Sequence, residues 1–192
     1  MDVLVAKVLD RLYAEDAAQR AAGLPRAERK RNVDRETGRW LNLLVRATGA
    51  ASILEIGSSN AVSTIWLAEA ARRNGGSVIG TEIIPERAAE ANCNLEEAGL
   101  AGVARIIDGD ARASVATLNG PFDLVFIDAE KDDYVGHLKV IGGLVRPEGL
   151  ILADNVISHD LSAYQAAVRA DPTLESVTLP IGRGIEFTLK RA

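Results

Sequence analysis

The stretch Leu54-Glu55-Ile56-Gly57-Ser58-Ser59-Asn60-Ala61-Val62-Ser63 decides how the rest of the chain is read. A short apolar run stops at a glycine, small polar residues follow, and a helical pattern then takes over at 62–73. Gly57 permits a tight turn and close backbone approach, and Ser58, Ser59 and Ser63 bring hydroxyls near a helix N-terminus. Ser59 and Asn60 stand where a dinucleotide fingerprint GxGxxG would carry further glycines. The turn therefore suits a smaller polar group better than a pyrophosphate. By itself it is equally compatible with an ordinary strand-to-helix turn.

Outward from this stretch the same rhythm repeats. Short β-rich runs at 53–56, 78–81, 103–107, 122–127 and 150–153 alternate with helical stretches at 62–73, 86–98, 111–118, 134–144 and 161–170. Strands apolar on both faces, alternating with helices, imply a parallel sheet covered on both sides. The runs 175–179 and 185–190 flank Pro180-Ile181-Gly182-Arg183-Gly184 and read as a β-hairpin. The expected fold is α/β: a Rossmann-like, seven-stranded, mostly parallel sheet with helices on both faces and a C-terminal antiparallel hairpin. Residues 1–50 read as a helical segment and 51–192 as the α/β core of one domain, with an amphipathic helix at 3–13. Arg26 to Arg39 is basic, with Arg29, Lys30 and Arg31 consecutive, and its plain reading is a solvated surface.

Composition narrows the function. Of 192 residues, 47% are apolar and 26% charged, which excludes a disordered chain or a coiled-coil rod. Lys+Arg at 22 against Asp+Glu at 27 gives a net charge of −5, which argues against a dedicated nucleic-acid binder. The single cysteine, Cys93, excludes an intrachain disulfide framework and a Cys-based zinc site. No apolar run approaches the roughly 20 residues that span a bilayer, and no secretory signal pattern opens the chain. A cytoplasmic location without membrane attachment is the expectation.

Ligands of open α/β sheets sit outside the carboxyl ends of the strands. The second strand ends at Glu82, 25 residues after Gly57, where an acid can accept both hydroxyls of a ribose. Gly109-Asp110-Ala111 closes the third strand in a position suited to adenine. The fourth ends Ile127-Asp128-Ala129-Glu130-Lys131 and the fifth Ala153-Asp154-Asn155. If these two are adjacent and parallel, Asp128, Asp154 and Asn155 aim oxygens at one volume, a hard donor set for Mg²⁺, Ca²⁺ or Mn²⁺. Lys131, three residues past Asp128, stands above that volume as a candidate base. Each fragment alone has a plainer explanation: Asp128 as a helix cap, Asp154-Asn155 as an Asx turn.

Together, Glu55-Ile56-Gly57, Glu82, the Asp128–Lys131 motif and Asp154-Asn155 resemble the class I S-adenosylmethionine-dependent methyltransferases. Within them the chain is similar to the metal-dependent O-methyltransferases, the catechol and caffeoyl-CoA O-methyltransferases and their small bacterial relatives. The resemblance covers roughly Asp34 to the C-terminus. It implies that Asp128, Asp154 and Asn155 bind the metal, most simply Mg²⁺, and that Lys131 is the general base. It implies that Glu82 holds the ribose of S-adenosylmethionine and that Gly57, Ser58 and Ser63 surround its methionine part. Glu55, Asp110, Ala111 and the backbone near Val33 would complete that pocket, with Asp128 also touching the cofactor. The implied reaction moves a methyl group to a hydroxyl of a small catechol-like or vicinal-diol acceptor. The alternatives are a methyltransferase acting on another nucleophile, such as a tRNA base hydroxyl or an amine, and a non-catalytic binding protein that keeps the cofactor pocket.

Three positions depart from the family pattern. Ala61 stands where a glycine is usual and Val62 where an aromatic often follows; Arg183 replaces an acid between two glycines. The chain is also short, so a reduced N-terminal lid and a homodimer that completes the pocket are expected. His159, just past Asn155, is placed to meet substrate, although an exposed histidine at a helix start is its plainer reading; His137 reads as structural, while Cys93 and Trp66 read as packing residues.

Overall fold

A computed structural model describes residues 1–25 and 28–192. Arg26 and Ala27, the start of the basic stretch, lie outside the described residues. Two helices come first, α1 (Val3–Ala21) and α2 (Arg35–Thr48). Five βα units follow: β1 (Ser52–Ile56), α3 (Val62–Arg73), β2 (Ser77–Glu82), α4 (Pro85–Glu97), β3 (Ala104–Asp108), α5 (Ala111–Ala116), β4 (Phe122–Ile127), α6 (Tyr134–Ile141), β5 (Val145–Asp154) and α7 (Ser162–Ala170). The strands β6 (Leu174–Leu179) and β7 (Ile185–Lys190) close the chain as a hairpin.

The seven strands run in the order β3-β2-β1-β4-β5-β7-β6. The first five pair in parallel, while β7 is antiparallel to both β5 and β6. This is the α/β architecture expected from the rhythm of the sequence. Chain order reverses between β1 and β4, so the connections leave that point to opposite sides and open a crevice beyond the strand ends.

Side-chain alternation sorts the core into two layers. Ile53, Leu124, Phe126, Leu150 and Leu152 face α1–α4, whereas Leu54, Ile56, Val125, Ile127, Ile151 and Ala153 face α5–α7. Every one of these strand positions is buried, which is why the runs read as apolar throughout.

Local signals set most boundaries. Asp34 caps α2 by accepting from Thr37 N at 2.8 Å, and Gly49 ends it with φ +70°. The first helix continues eight residues beyond 13, through an Ala-rich stretch in which Arg20 Nε donates to Asp16 at 2.8 Å. The fifth strand begins at Val145, earlier than its apolar run, because Arg146-Pro147-Glu148-Gly149 carries a turn-like composition into an irregular strand start. Trp66 packs as expected, buried with its indole N–H donating to the Tyr13 hydroxyl at 3.2 Å. Cys93 is a correction. It is exposed, because α4 buries the stripe Ala88, Ala91, Asn94 and Leu95, and residue 93 lies off that stripe.

Candidate active site

One register row builds the site. Ile56 is level with Thr81 on β2 and with Ile127 on β4, and Ile127 is level with Ala153 on β5. The next residue on each strand is therefore Gly57, Glu82, Asp128 or Asp154, four strand tips in one line. Gly57 has φ +91°, and a Cβ there would lie 2.6 Å from the Asp128 carbonyl oxygen and 2.8 Å from Ala129 N. The tips of β1 and β4 approach so closely that only glycine fits.

A cleft over this row, enclosing about 1240 Å³ of empty space that merges with solvent, is lined by Val33, Gly57, Ser58, Ser63, Glu82, Asp110, Ala111 and Asp128. Lys131, Asp154, Asn155 and Arg183 line it too. Glu55 is the exception among the residues named from sequence. It is fully buried beneath the turn, where it accepts from the Ser58 hydroxyl at 2.7 Å and from Thr64. Burial pushes its carboxyl up, and the hydroxyls of Ser63, Thr64 and Ser58 oppose that. Glu55 shapes the turn from below rather than facing the cleft, because its strand position points it into the α1–α4 layer.

The turn itself holds three positive φ values in five residues: Gly57 at 91°, Ser59 at 48° and Ala61 at 72°. Ala61 adopts the left-handed region that its usual glycine would enter freely, and its buried methyl packs in the core. Both carboxylate oxygens of Glu82 are fixed by backbone donors, Ser59 N at 2.9 Å and Ile84 N at 3.0 Å. Asp110 caps α5, accepting from Arg112 N at 2.9 Å, and its side chain also pairs with Arg112. Those contacts hold the Asp110 carboxyl below its usual range.

At the other end, Lys131 Nζ donates to Asp128 Oδ1 at 2.9 Å and to the Tyr134 hydroxyl at 2.9 Å. Tyr134 is buried, and its hydroxyl lies 3.2 Å from Ile127 O and 3.3 Å from Asp154 O, so it ties the β4 and β5 tips together. Asn155 has φ +70°, a conformation Asn tolerates, and its Nδ2 donates to Asp154 Oδ2 at 2.8 Å. The other oxygen, Asp154 Oδ1, is buried without a hydrogen-bond partner. Burial and the neighbouring Asp128 push the Asp154 carboxyl up to about 7. Burial also raises Asp128, against the charges of Lys131, Arg31 and Arg183. Among the described residues no group of three or more His, Cys, Asp or Glu side chains could hold a metal ion, so any cation here would rest on two carboxylates and an amide oxygen.

Three features were not read from the sequence. The basic stretch is not merely a solvated surface: Lys30 and Arg31 line the cleft, paired with Glu90 and Glu130. Its backbone also reaches the turn, where the Ser59 hydroxyl donates to Lys30 O at 2.8 Å. His137 is buried yet lines the cleft, with its pKa lowered by burial. Lys30 and Arg31 follow no periodic pattern, so nothing in the local sequence betrays that they fold back over β1. His159 does not line the cleft.

Comparison with known proteins agrees with this geometry. A family model described as O-methyltransferase matches residues 12–191. A catechol O-methyltransferase of Mycobacterium tuberculosis is 42% identical over 147 residues, covering 76% of this chain and 64% of that protein. Another, of Niastella koreensis, is 38% identical over 152 residues, covering 77% of this chain and 66% of its own length. The matched stretch thus spans just under two thirds of these relatives. The crystal structure of an O-methyltransferase from Bacillus cereus in complex with SAH superimposes with a TM-score of 0.81 at 28% identity, covering 100% of this chain and 92% of that one. The sheet order, the row of strand tips and these matches lead to one conclusion: the chain belongs to the O-methyltransferase family.

Proposed function

We propose that the protein transfers a methyl group from S-adenosylmethionine to a hydroxyl of a small catechol-like or vicinal-diol acceptor, with a divalent cation at Asp128, Asp154 and Asn155. The observation that carries this reading is the pair Asp128 and Asp154 on adjacent strand tips, with Asp154 Oδ1 buried and unpartnered. A buried carboxylate oxygen without a partner is costly. The donor set is hard oxygen, two carboxylates and an amide carbonyl, which suits Mg²⁺ and disfavours zinc. Its neighbours on the same row, Gly57 and Glu82, fit the cofactor half of the reading.

When bound, S-adenosylmethionine supplies an electrophilic methyl on sulfonium, and the cation supplies positive charge beside the ionising acceptor hydroxyl. The chain's own residues do the rest. Asp128, Asp154 and Asn155 hold the cation. Glu82, its oxygens preset by Ser59 N and Ile84 N, receives the ribose hydroxyls. Ser58, Ser63 and the Gly57 backbone border the methionine part, Val33 covers it, and Asp110 and Ala111 border the adenine. Lys131, in its neutral amine form, takes the acceptor's proton on Nζ, which Tyr134 keeps in place. Positioning two reactants over one row of strand tips supplies much of the acceleration.

The reading extends to a homodimer whose partner covers the open acceptor side, which light scattering tests by mass. It also extends to a cytoplasmic setting. No helix among the described residues is long and apolar enough to cross a membrane. The activity is tested by incubating the protein with S-adenosylmethionine, Mg²⁺ and catechol and looking for the monomethyl ether by mass spectrometry. Cofactor binding without product across a panel of diols would reject the reading in favour of a binding protein.

A further inference from the structure

Arg183 stands apart from the other cations of the cleft. Lys30 pairs with Glu90, Arg31 with Glu130, Arg112 with Asp110, and Lys131 with Asp128. The Arg183 side chain makes no hydrogen bond or ion pair among the described residues, although it lines the cleft. Its place is nonetheless fixed. Arg183 O accepts from Ile157 N at 3.1 Å and Ser158 N at 3.2 Å, and Gly184 N donates to Ile181 O at 2.8 Å. A Cβ on Gly182 would lie 2.2 Å from Thr37 Oγ1, and one on Gly184 2.4 Å from Ile157 Cγ1. The two glycines thus let the hairpin tip press against α2 on one side and the turn after β5 on the other. Arg183 is presented on a clamped loop beside Asp128 and Asp154, the acceptor end of the cleft.

A guanidinium without a hydrogen-bond partner, carried on an anchored stretch of backbone and with planar donors suited to a carboxylate, is a recognition element. The geometry points to Arg183 as the specificity-determining residue of the acceptor site, selecting diols that also carry a carboxylate. This rests on the O-methyl-transfer reading and deepens it, naming the substrate class as anionic catechols. A second possibility, that Arg183 serves only as a countercharge for Asp128 and Asp154, makes a different prediction, since it would affect all acceptors alike.

Equilibrium binding separates these cases without requiring turnover. Calorimetry in the presence of Mg²⁺ and S-adenosylhomocysteine compares 3,4-dihydroxybenzoate, catechol and dopamine. The wild type is expected to bind dihydroxybenzoate about tenfold tighter than catechol and to bind dopamine weakest, with the preference shrinking as salt is raised. In Arg183→Gln the ratio of the first two affinities falls to near one, and in Arg183→Lys part of it survives. Equal affinities in the wild type, a ratio unchanged in Arg183→Gln, or no binding of any of the three overturns the inference. Binding with the expected ratio but no methylated product leaves Arg183 as the carboxylate reader and rejects the enzyme reading alone.

Discussion

At the scale of single residues, the site is a set of side chains whose environments divide their roles. Lys131 is held between a carboxylate and a phenol, both at 2.9 Å, and those contacts fix Nζ, the proposed base. Replacing Lys131 with Ala should lower kcat about 10²–10⁴-fold while the affinity for S-adenosylmethionine changes less than about twofold, since no cofactor contact is removed. Steady-state kinetics and calorimetry read the two separately, and wild-type turnover in the variant would remove Lys131 from its role. Glu82 behaves oppositely. Glu82→Ala removes the acceptor for two backbone N–H groups and the proposed ribose partner, so cofactor affinity should fall about tenfold or more, measured by the same titration. The strand-tip residues were legible because each combines an acid or glycine with the end of an apolar run. Glu55 sits apart from them for an equally physical reason. Sequence places it next to the turn, but strand alternation sends its side chain beneath the cleft.

At the scale of elements, the rhythm of apolar runs and helical stretches contained the α/β fold, because strands buried on both faces leave an unmistakable pattern. The register did not follow from it. That Gly57, Glu82, Asp128 and Asp154 share one row depends on how strands pair, which no local pattern encodes. The return of Lys30 and Arg31 over the cleft was hidden likewise, since their ion pairs join residues 60 and 99 positions apart. Packing of α2 on α3 depends on Gly38. A Cβ there would lie 2.3 Å from Trp66 Nε1 and 2.4 Å from Cδ1 of an indole that is buried and hydrogen-bonded. On helix propensity alone Gly38→Ala would gain about 1 kcal/mol. Overpacking costs about 1–3 kcal/mol, so the variant should be less stable in a urea melt. A stabilised variant would show that the indole yields freely.

At the scale of the whole molecule, the two ends of the sheet have different duties. The carboxyl end carries the cleft, with its left-handed backbone and its buried, partly unpaired carboxylates. The amino end is tied by Asp123, which accepts from Ala51 N and Ser52 N at 2.8 Å and from Arg146 Nε at 2.7 Å, joining the starts of β1, β4 and β5. Burial raises the Asp123 carboxyl, but those backbone donors and Arg146 outweigh it and hold it below the usual range. A lowered folded-state pKa means that this stabilisation is present above about pH 4 and is lost as pH falls through the folded value. Asp123→Ala should therefore cost about 1–3 kcal/mol at neutral pH, and the gap from wild type should narrow in thermal melts below about pH 4. A gap that stays constant into acid would mean the carboxylate charge is not what ties the strands.

The account as a whole turns on Asp128 and Asp154 sharing a divalent cation beside the methyl donor. Its most direct test is the rate of methyl transfer from S-adenosylmethionine to catechol after exhaustive treatment with EDTA, and again after Mg²⁺ is restored. The account predicts that activity disappears with the metal and returns with it in the wild type, but does not return in Asp154→Ala. Full activity in the metal-stripped protein would contradict it.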